Sequence, residues 1–151
     1  MKIGNYTVNY KISSTFKELL SWLDDDEFVK RLINEINEFY EKKYGWIYGT
    51  RTLSKVIPLF SFRFRGRKIL GLLDYFRLKY TLNKKEALIF FVKLIHHPKV
   101  KYEYDYINFH CEKQRYIDYA LQIFNDIPFA DKRLGDFIFS NNAIILSFEE
   151  K

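Results

Sequence analysis

The sequence predicts an α+β fold: one domain over residues 1–151, with a mixed or antiparallel sheet of about four or five strands packed against about five helices. The first observation is that strand-like alternation and helix-like spacing of apolar residues occupy separate stretches of the chain. The second is that 151 residues match the length of one ordinary domain. With three prolines and six glycines, the chain also contains no low-complexity linker.

The first half of the chain predicts a strand followed by two helices. Residues 2–12 alternate apolar and polar side chains, which is typical of a strand. A longer helix is expected to end at Gly45, and residues 46–49 fit a short strand. Ser13, Ser14 and Thr15 are candidate N-caps of the first helix. Two capping-box patterns, in which glutamate follows an N-cap residue by three positions, are present: Thr15 with Glu18 and Asp24 with Glu27.

The second half predicts the remaining strands and helices from the same periodicities. Pro58 indicates an edge strand or a bulge, because proline cannot donate to a sheet ladder. In order, the predicted elements are a strand over 55–65, helices over 68–80 and 84–97, a strand over 99–111, a helix over 112–126 and a strand or hairpin over 136–148.

The positive charge of the protein is concentrated in one part of the chain. The formal net charge is +6. Residues 51–79 contain eight basic residues and one acidic residue, Asp74, whereas the segments before and after are close to neutral. This distribution predicts a local basic face, and a polyanion is the partner that such a face favours.

The centre of this basic segment predicts contacts with the backbone of double-stranded DNA. In a strand, Arg63 and Arg65 would lie on the face opposite the phenylalanines, about 7 Å apart. That spacing approaches the distance between successive phosphates, and guanidinium groups bind phosphate bidentately. Arg67 and Lys68 extend the row towards a helix N-terminus. The alternatives are an edge strand kept soluble by charge, or arginines paired with the acidic residues at 24–27.

Glu86 is the first candidate for a catalytic carboxylate. Phosphodiester hydrolysis needs a carboxylate to hold a divalent metal, here Mg²⁺, or to move a proton. Lys84 and Lys85 precede Glu86 and are candidates for binding the substrate phosphates. The structural alternative is that Glu86 closes a capping box with Asn83.

Asp105, Glu112 and His97 are second-choice catalytic or metal-binding residues. Asp105 lies among apolar residues on one predicted strand face, where a carboxylate is unusual. Asp105 and Glu112 partly match the Asp…Glu-x-Lys pattern of restriction-type nucleases, but Gln114 stands at the lysine position. His97 falls on the same helical stripe as Glu86. The glycines fit neither the Walker phosphate loop nor the dinucleotide fingerprint.

The chain resembles the small nucleases of filamentous viruses, of the lipothrixvirus type, that infect hyperthermophilic archaea. The resemblance lies in the basic segment Arg63–Lys68, the helix start Asn83–Glu86, the length, and a composition rich in Tyr, Phe, Ile and Lys with one cysteine. It implies an α+β fold distantly similar to restriction-type cores. It also implies degradation of double-stranded DNA, and an essential glutamate that would be Glu86.

Two other functions remain open. Residues 68–80 and 84–97 could form a winged helix-turn-helix that binds DNA without cleaving it, although the second helix is apolar nearly all round, which predicts burial. The other alternative is a viral protein that binds a host protein through the acidic helix predicted over residues 24–43. One cysteine, Cys111, excludes an internal disulfide. We expect no membrane segment and a place in the host cytoplasm.

Overall fold

A computed structural model of the protein describes residues 2–3, 6–7, 10–48, 56–105 and 143–149. These residues form helices and antiparallel strands, which confirms the α+β class. In chain order the elements are β1 (Lys2–Ile3), β2 (Tyr6–Thr7), α1 (Ser14–Trp22), α2 (Asp26–Tyr48), β3 (Val56–Pro58), β4 (Phe62–Phe64), β5 (Arg67–Ile69), α3 (Leu72–Tyr80), α4 (Lys84–Ile95), β6 (Val100–Asp105) and β7 (Ala143–Phe148).

The strands form three separate antiparallel groups. β7 lies in the middle of a three-stranded sheet, between β3 and β6. β1 pairs with β2, and β4 pairs with β5, as two-stranded ribbons. The prediction of a sheet with four or five strands is therefore corrected for the described residues. The predicted strand over 55–65 is divided because the chain bends at Leu59 and Phe60, whose side chains are buried.

The first two helices start close to their predicted positions. Ser13 is the N-cap of α1, and its Oγ accepts a hydrogen bond from the Phe16 N–H at 3.2 Å. Asp25 Oδ1 accepts from the Glu27 N–H at 3.0 Å at the start of α2. Each bond satisfies an amide that has no partner inside the helix. Ser13 is one of the three predicted N-cap candidates of α1, whereas the capping box predicted for Thr15 is not the observed cap. At the start of α2, the predicted cap Asp24 is corrected by one position, to Asp25.

Three predicted boundaries are wrong. α2 continues through Gly45 to Tyr48, so residues 46–48 are helical and do not form the predicted strand. A glycine costs a helix about 1 kcal/mol, which the packing of buried Tyr44 can outweigh. Residues 10–12 lie outside any strand. α3 begins at Leu72 rather than at residue 68, because Arg67–Ile69 pairs with β4.

The core is built around α4. Eight of the twelve residues of α4 are buried. The ring of Phe90 lies 4.8 Å from that of Phe76 on α3, centroid to centroid, in an edge-on arrangement. The buried stripe of α2, Val29, Leu32, Ile33 and Ile36, joins the same core. The burial predicted for the helix over 84–97 is confirmed.

Two tyrosines of α2 hold the segment between the β4–β5 ribbon and α3. The Tyr40 hydroxyl donates to the carbonyl of Leu70 at 2.8 Å, and the Leu70 N–H donates to the Tyr44 hydroxyl at 3.1 Å. Next to Leu70, Gly71 packs against the bend at residues 59–61. The base of the ribbon is thereby fixed to the core.

Candidate nucleic-acid interface and the surroundings of Glu86

The strongest basic feature of the described residues is the ribbon β4–β5, which we call the basic hairpin. Its turn consists of Arg65 and Gly66, with φ of 50° and 78°. Two successive positive φ values are typical of the type I′ turn that matches the twist of a two-residue hairpin. The prediction of a single strand is corrected here: Arg65 lies in the turn, and Arg67 and Lys68 lie in the returning strand.

The basic hairpin presents its cations outwards. Arg63, Arg65, Arg67 and Lys68 are all exposed. Arg63 is directly opposite Lys68 in the ladder, so their side chains share one face, and the next residue, buried Ile69, lies on the other. Like charges placed directly opposite each other destabilise a strand pair. The pairing of Arg63 with Lys68 therefore places two positive charges side by side, which is unfavourable in the protein on its own.

Three acidic residues of the described chain, Asp74, Asp24 and Asp26, are bound to groups outside the basic hairpin. Asp74 accepts a hydrogen bond from the Ser61 hydroxyl and pairs with Arg77 at 3.0 Å. At the start of α2, Asp24 lies 3.6 Å from Lys93 Nζ. Asp26 lies 3.4 Å from Lys99 Nζ. The acidic residues at the start of α2 therefore form ion pairs with lysines of α4 and of the turn that follows α4.

Glu86 forms a capping box with Asn83, the structural role that the sequence analysis gave as the alternative to catalysis. Asn83 Oδ1 accepts from the Glu86 N–H at 2.8 Å, and Glu86 Oε1 accepts from the Asn83 N–H at 3.0 Å. Glu86 is half-buried, Lys84 is exposed, and Lys85 Nζ lies 5.7 Å from the centre of the Tyr10 ring. A capping role is thus shown, and a catalytic role for the same carboxylate stays a prediction.

His97 is a buried residue with both ring nitrogens bound. Its Nε2 lies 3.0 Å from Asp26 Oδ1, and its Nδ1 accepts from the Lys99 N–H at 3.1 Å. These two bonds tie the His97 ring to the start of α2 and to the backbone of the turn that follows α4. His97 follows Glu86 by eleven residues, about 16 Å along a helix axis, so the shared stripe does not bring the two side chains together.

The remaining candidates lie at or beyond the edge of the described chain. Asp105 ends β6, where its backbone pairs with Ala143. Glu112 lies outside the described residues, as do Cys111 and the helix predicted over 112–126. Within the residues that are described, no group of three or more His, Cys, Asp or Glu side chains could hold a metal ion. The Mg²⁺ site stays a prediction.

A groove that the sequence analysis missed runs between α1 and the turn joining α3 to α4; we call it the α1 groove. Its volume is about 400 Å³. Thr81, in its wall, has a φ of 54°, a left-handed conformation that β-branched residues rarely adopt. Glu18 and the half-buried Glu86 supply its carboxylates. The full lining is Ser13, Thr15, Phe16, Glu18, Leu19, Trp22, Tyr80, Thr81, Leu82 and Glu86.

The basic hairpin and Glu86 lie towards opposite ends of α3. The hairpin ends two residues before the N-cap of α3, Gly71, and Glu86 lies just beyond the turn that follows α3. The nine residues of α3 span about 13 Å. The structure thus keeps the two halves of the predicted nuclease site apart.

The helices were also checked for membrane spans, and the chain was compared with known proteins. Of the helices that the structure describes, none has both the length and the apolar character that a membrane span requires. Comparison of the chain with protein families, with curated proteins and with solved structures found no match.

Proposed function

We propose that this protein binds double-stranded DNA through the phosphate backbone, using the basic hairpin. The observation that carries the proposal is the cross-strand pair of Arg63 and Lys68, two exposed cations on one outward face. Their mutual repulsion is relieved when phosphates come between them, and release of counterions from DNA adds to the affinity. A two-stranded ribbon also has a width that the major groove of DNA admits.

Contacts of this kind position a protein on DNA without reading the bases. The supporting residues are cations on a tight turn and two short strands. The proposal therefore concerns sequence-independent affinity. α4 is a poor candidate for a recognition helix, because its side chains Ala87 to Val92 are buried and would have to leave the core to enter a groove.

The test compares two double variants, each of which loses two positive charges. Arg63→Ala with Lys68→Ala removes the cross-strand pair, and Arg31→Ala with Lys42→Ala removes two exposed cations from α2. Binding to a labelled 20-base-pair duplex is measured by fluorescence anisotropy over a range of salt concentrations. If all four hairpin cations contact phosphates, log K should fall with log salt at a slope of about −3.6, and at about −1.8 in the hairpin variant.

The control variant should keep the slope of the wild type. Equal weakening by both double variants would contradict the proposal, since binding would then follow net charge rather than the hairpin. Unchanged binding by the hairpin variant would contradict it as well.

Hydrolysis of the bound DNA, with Glu86 as the catalytic carboxylate, is our second candidate function. The observation in its favour is that the capping box holds this carboxylate in one position on the wall of the α1 groove, with Oε1 bound to Asn83. A further ligand for Mg²⁺ would have to come from another part of the chain, such as Asp105 or Glu112.

Two substitutions of Glu86 separate catalysis from capping. Glutamine preserves the capping box and removes the charge, whereas alanine removes both and should cost about 1 kcal/mol of stability. Linear and circular duplex DNA are incubated with each protein, with Mg²⁺ or with a chelator. A catalytic Glu86 predicts Mg²⁺-dependent cleavage by the wild type that both variants lose. Cleavage retained by Glu86→Gln would contradict this assignment.

A further inference from the structure

We propose that the α1 groove binds a primary alkylammonium ion, a small organic cation with an aliphatic chain. This site is separate from the basic hairpin and does not depend on the DNA-binding proposal. The volume of about 400 Å³ is in the range typical of small-molecule sites. Charge, apolar lining and backbone conformation each support this ligand class.

The charge of the lining favours a cation. Its two charged residues, Glu18 and Glu86, are both carboxylates. Tyr80 and Thr81 bring the carboxyl end of α3 to the groove, and the helix dipole places partial negative charge there. The amino end of α4 offsets part of the charge of Glu86, so exposed Glu18 carries the less compensated charge of the two.

Two lysines that are close to the groove along the chain, Lys79 and Lys85, contact other groups. Lys79 pairs with Glu35, and its Nζ lies 5.5 Å from the centre of the Tyr80 ring. Lys85 Nζ lies 5.7 Å from the centre of the Tyr10 ring. The lining contains no lysine or arginine, so the groove itself supplies no cationic side chain to its two carboxylates.

The apolar part of the lining suits an alkyl chain and an ammonium head. Phe16 and Leu19 are buried and form apolar walls, together with half-buried Leu82. Trp22 is 45% exposed, although it is one of the largest apolar side chains of the protein. An aromatic ring that faces solvent beside a carboxylate attracts an ammonium ion through its π-face.

The backbone at Thr81 adds a third observation. A β-branched residue in the left-handed region costs about 1–3 kcal/mol, and such conformations cluster at sites that bind ligands. The turn is fixed by the N–H of Leu82, which donates to the carbonyl of Arg77 at 3.0 Å. The groove wall is therefore held in its shape before any ligand arrives.

The proposal is tested by titrating the intact protein with 1-hexylammonium chloride and following amide and indole resonances by NMR. We expect the shifts to centre on Thr15, Leu19 and the Trp22 indole. The neutral isostere 1-hexanol should bind at least tenfold more weakly. N-acetyl-lysine methylamide is a third probe: saturable binding of this probe at the same residues would extend the ligand class to lysine side chains of a partner protein.

Charge-removing variants decide whether the carboxylates are responsible. Glu18→Gln should weaken 1-hexylammonium binding about tenfold, because it removes a charge-assisted contact on an exposed side chain that the fold does not need. Glu41→Gln, on the exposed face of α2, is the matched control and should leave the affinity unchanged. Glu86→Gln keeps the capping box and should weaken binding by less than Glu18→Gln.

Three results would overturn the proposal: no saturable shifts at the groove residues, equal affinity for 1-hexanol, or unchanged affinity in Glu18→Gln. The hairpin variant Arg63→Ala with Lys68→Ala should bind 1-hexylammonium like the wild type. Failure of the DNA-binding proposal would therefore leave this one standing, and the reverse is also true.

Discussion

At the scale of single residues, Gly71 shows how one missing side chain allows two segments to meet. A Cβ atom at this position would lie 2.4 Å from the carbonyl carbon of Phe60 and 2.6 Å from the amide nitrogen of Ser61. Both are backbone atoms and cannot rotate away. The contact places the bend at residues 59–61 directly against the start of α3, and so sets the position of the basic hairpin on the core.

Gly71→Ala should therefore destabilise the protein by about 1–3 kcal/mol, as overpacking does in cores. Urea unfolding followed by circular dichroism measures the loss. Gly66→Asn is the matched control: the hairpin turn there has a positive φ and open space, and asparagine tolerates that conformation. A stability of Gly71→Ala equal to that of the wild type would contradict the close approach.

At the scale of elements, α2 contacts the residue that follows the basic hairpin, Leu70, through hydrogen bonds that lie among aromatic rings. Both hydrogen-bonding groups of the Leu70 backbone are bound by tyrosine hydroxyls of α2. The two rings lie in one aromatic cluster with Phe39 and Tyr75. Leu70 is thus satisfied without a strand partner, which lets the chain leave β5 and enter α3.

Tyr40→Phe and Tyr44→Phe keep the rings and remove these bonds. Each should cost about 1–2 kcal/mol of unfolding free energy, because a partly buried backbone group loses its partner. The amide of Leu70 should also exchange with solvent faster in Tyr44→Phe than in Tyr40→Phe, since Tyr44 accepts from that N–H. Equal protection of the Leu70 amide in both variants, measured by hydrogen exchange, would contradict the assigned bonds.

At the scale of the whole molecule, stability should depend on pH in the alkaline range. Burial raises the pKa of Tyr75 and the pKa of Tyr80 above the usual value of 10.0. The pKa of Lys79 is also raised above 10.5: burial opposes its charge, but the hydrogen bond with Glu35 and the neighbouring tyrosines outweigh that effect. All three groups hold their protons more tightly in the folded protein than in the unfolded chain.

The sign of the pH effect follows from linkage. A raised pKa in the folded state contributes stability that is fully present below the unfolded pKa and is lost as pH rises through the folded value. Stability should therefore decline above about pH 10. Urea midpoints between pH 8 and 11 measure this decline, and Tyr75→Phe with Tyr80→Phe should make it shallower. An equally steep decline in this double variant would contradict the role of the two phenols.

Local signals in the sequence predicted much of the structure. The capping box of Asn83 with Glu86, given as the structural alternative for this glutamate, and the burial of α4 were both predicted correctly. Each depends on residues within a few positions of one another. The structure selects Ser13 as the N-cap of α1 from the three successive hydroxyl residues that the sequence offered as candidates.

What the sequence determined by itself was therefore the α+β class, the approximate starts of helices and the place of the positive charge. The tertiary structure alone decided that the strand over 55–65 is broken, that α2 passes Gly45, and that the basic hairpin and Glu86 lie towards opposite ends of α3. It also created the α1 groove, whose walls come from distant parts of the chain. The physical reason is range: caps and periodicity act between neighbours, whereas strand pairing, close packing and cavities depend on residues that only folding brings together.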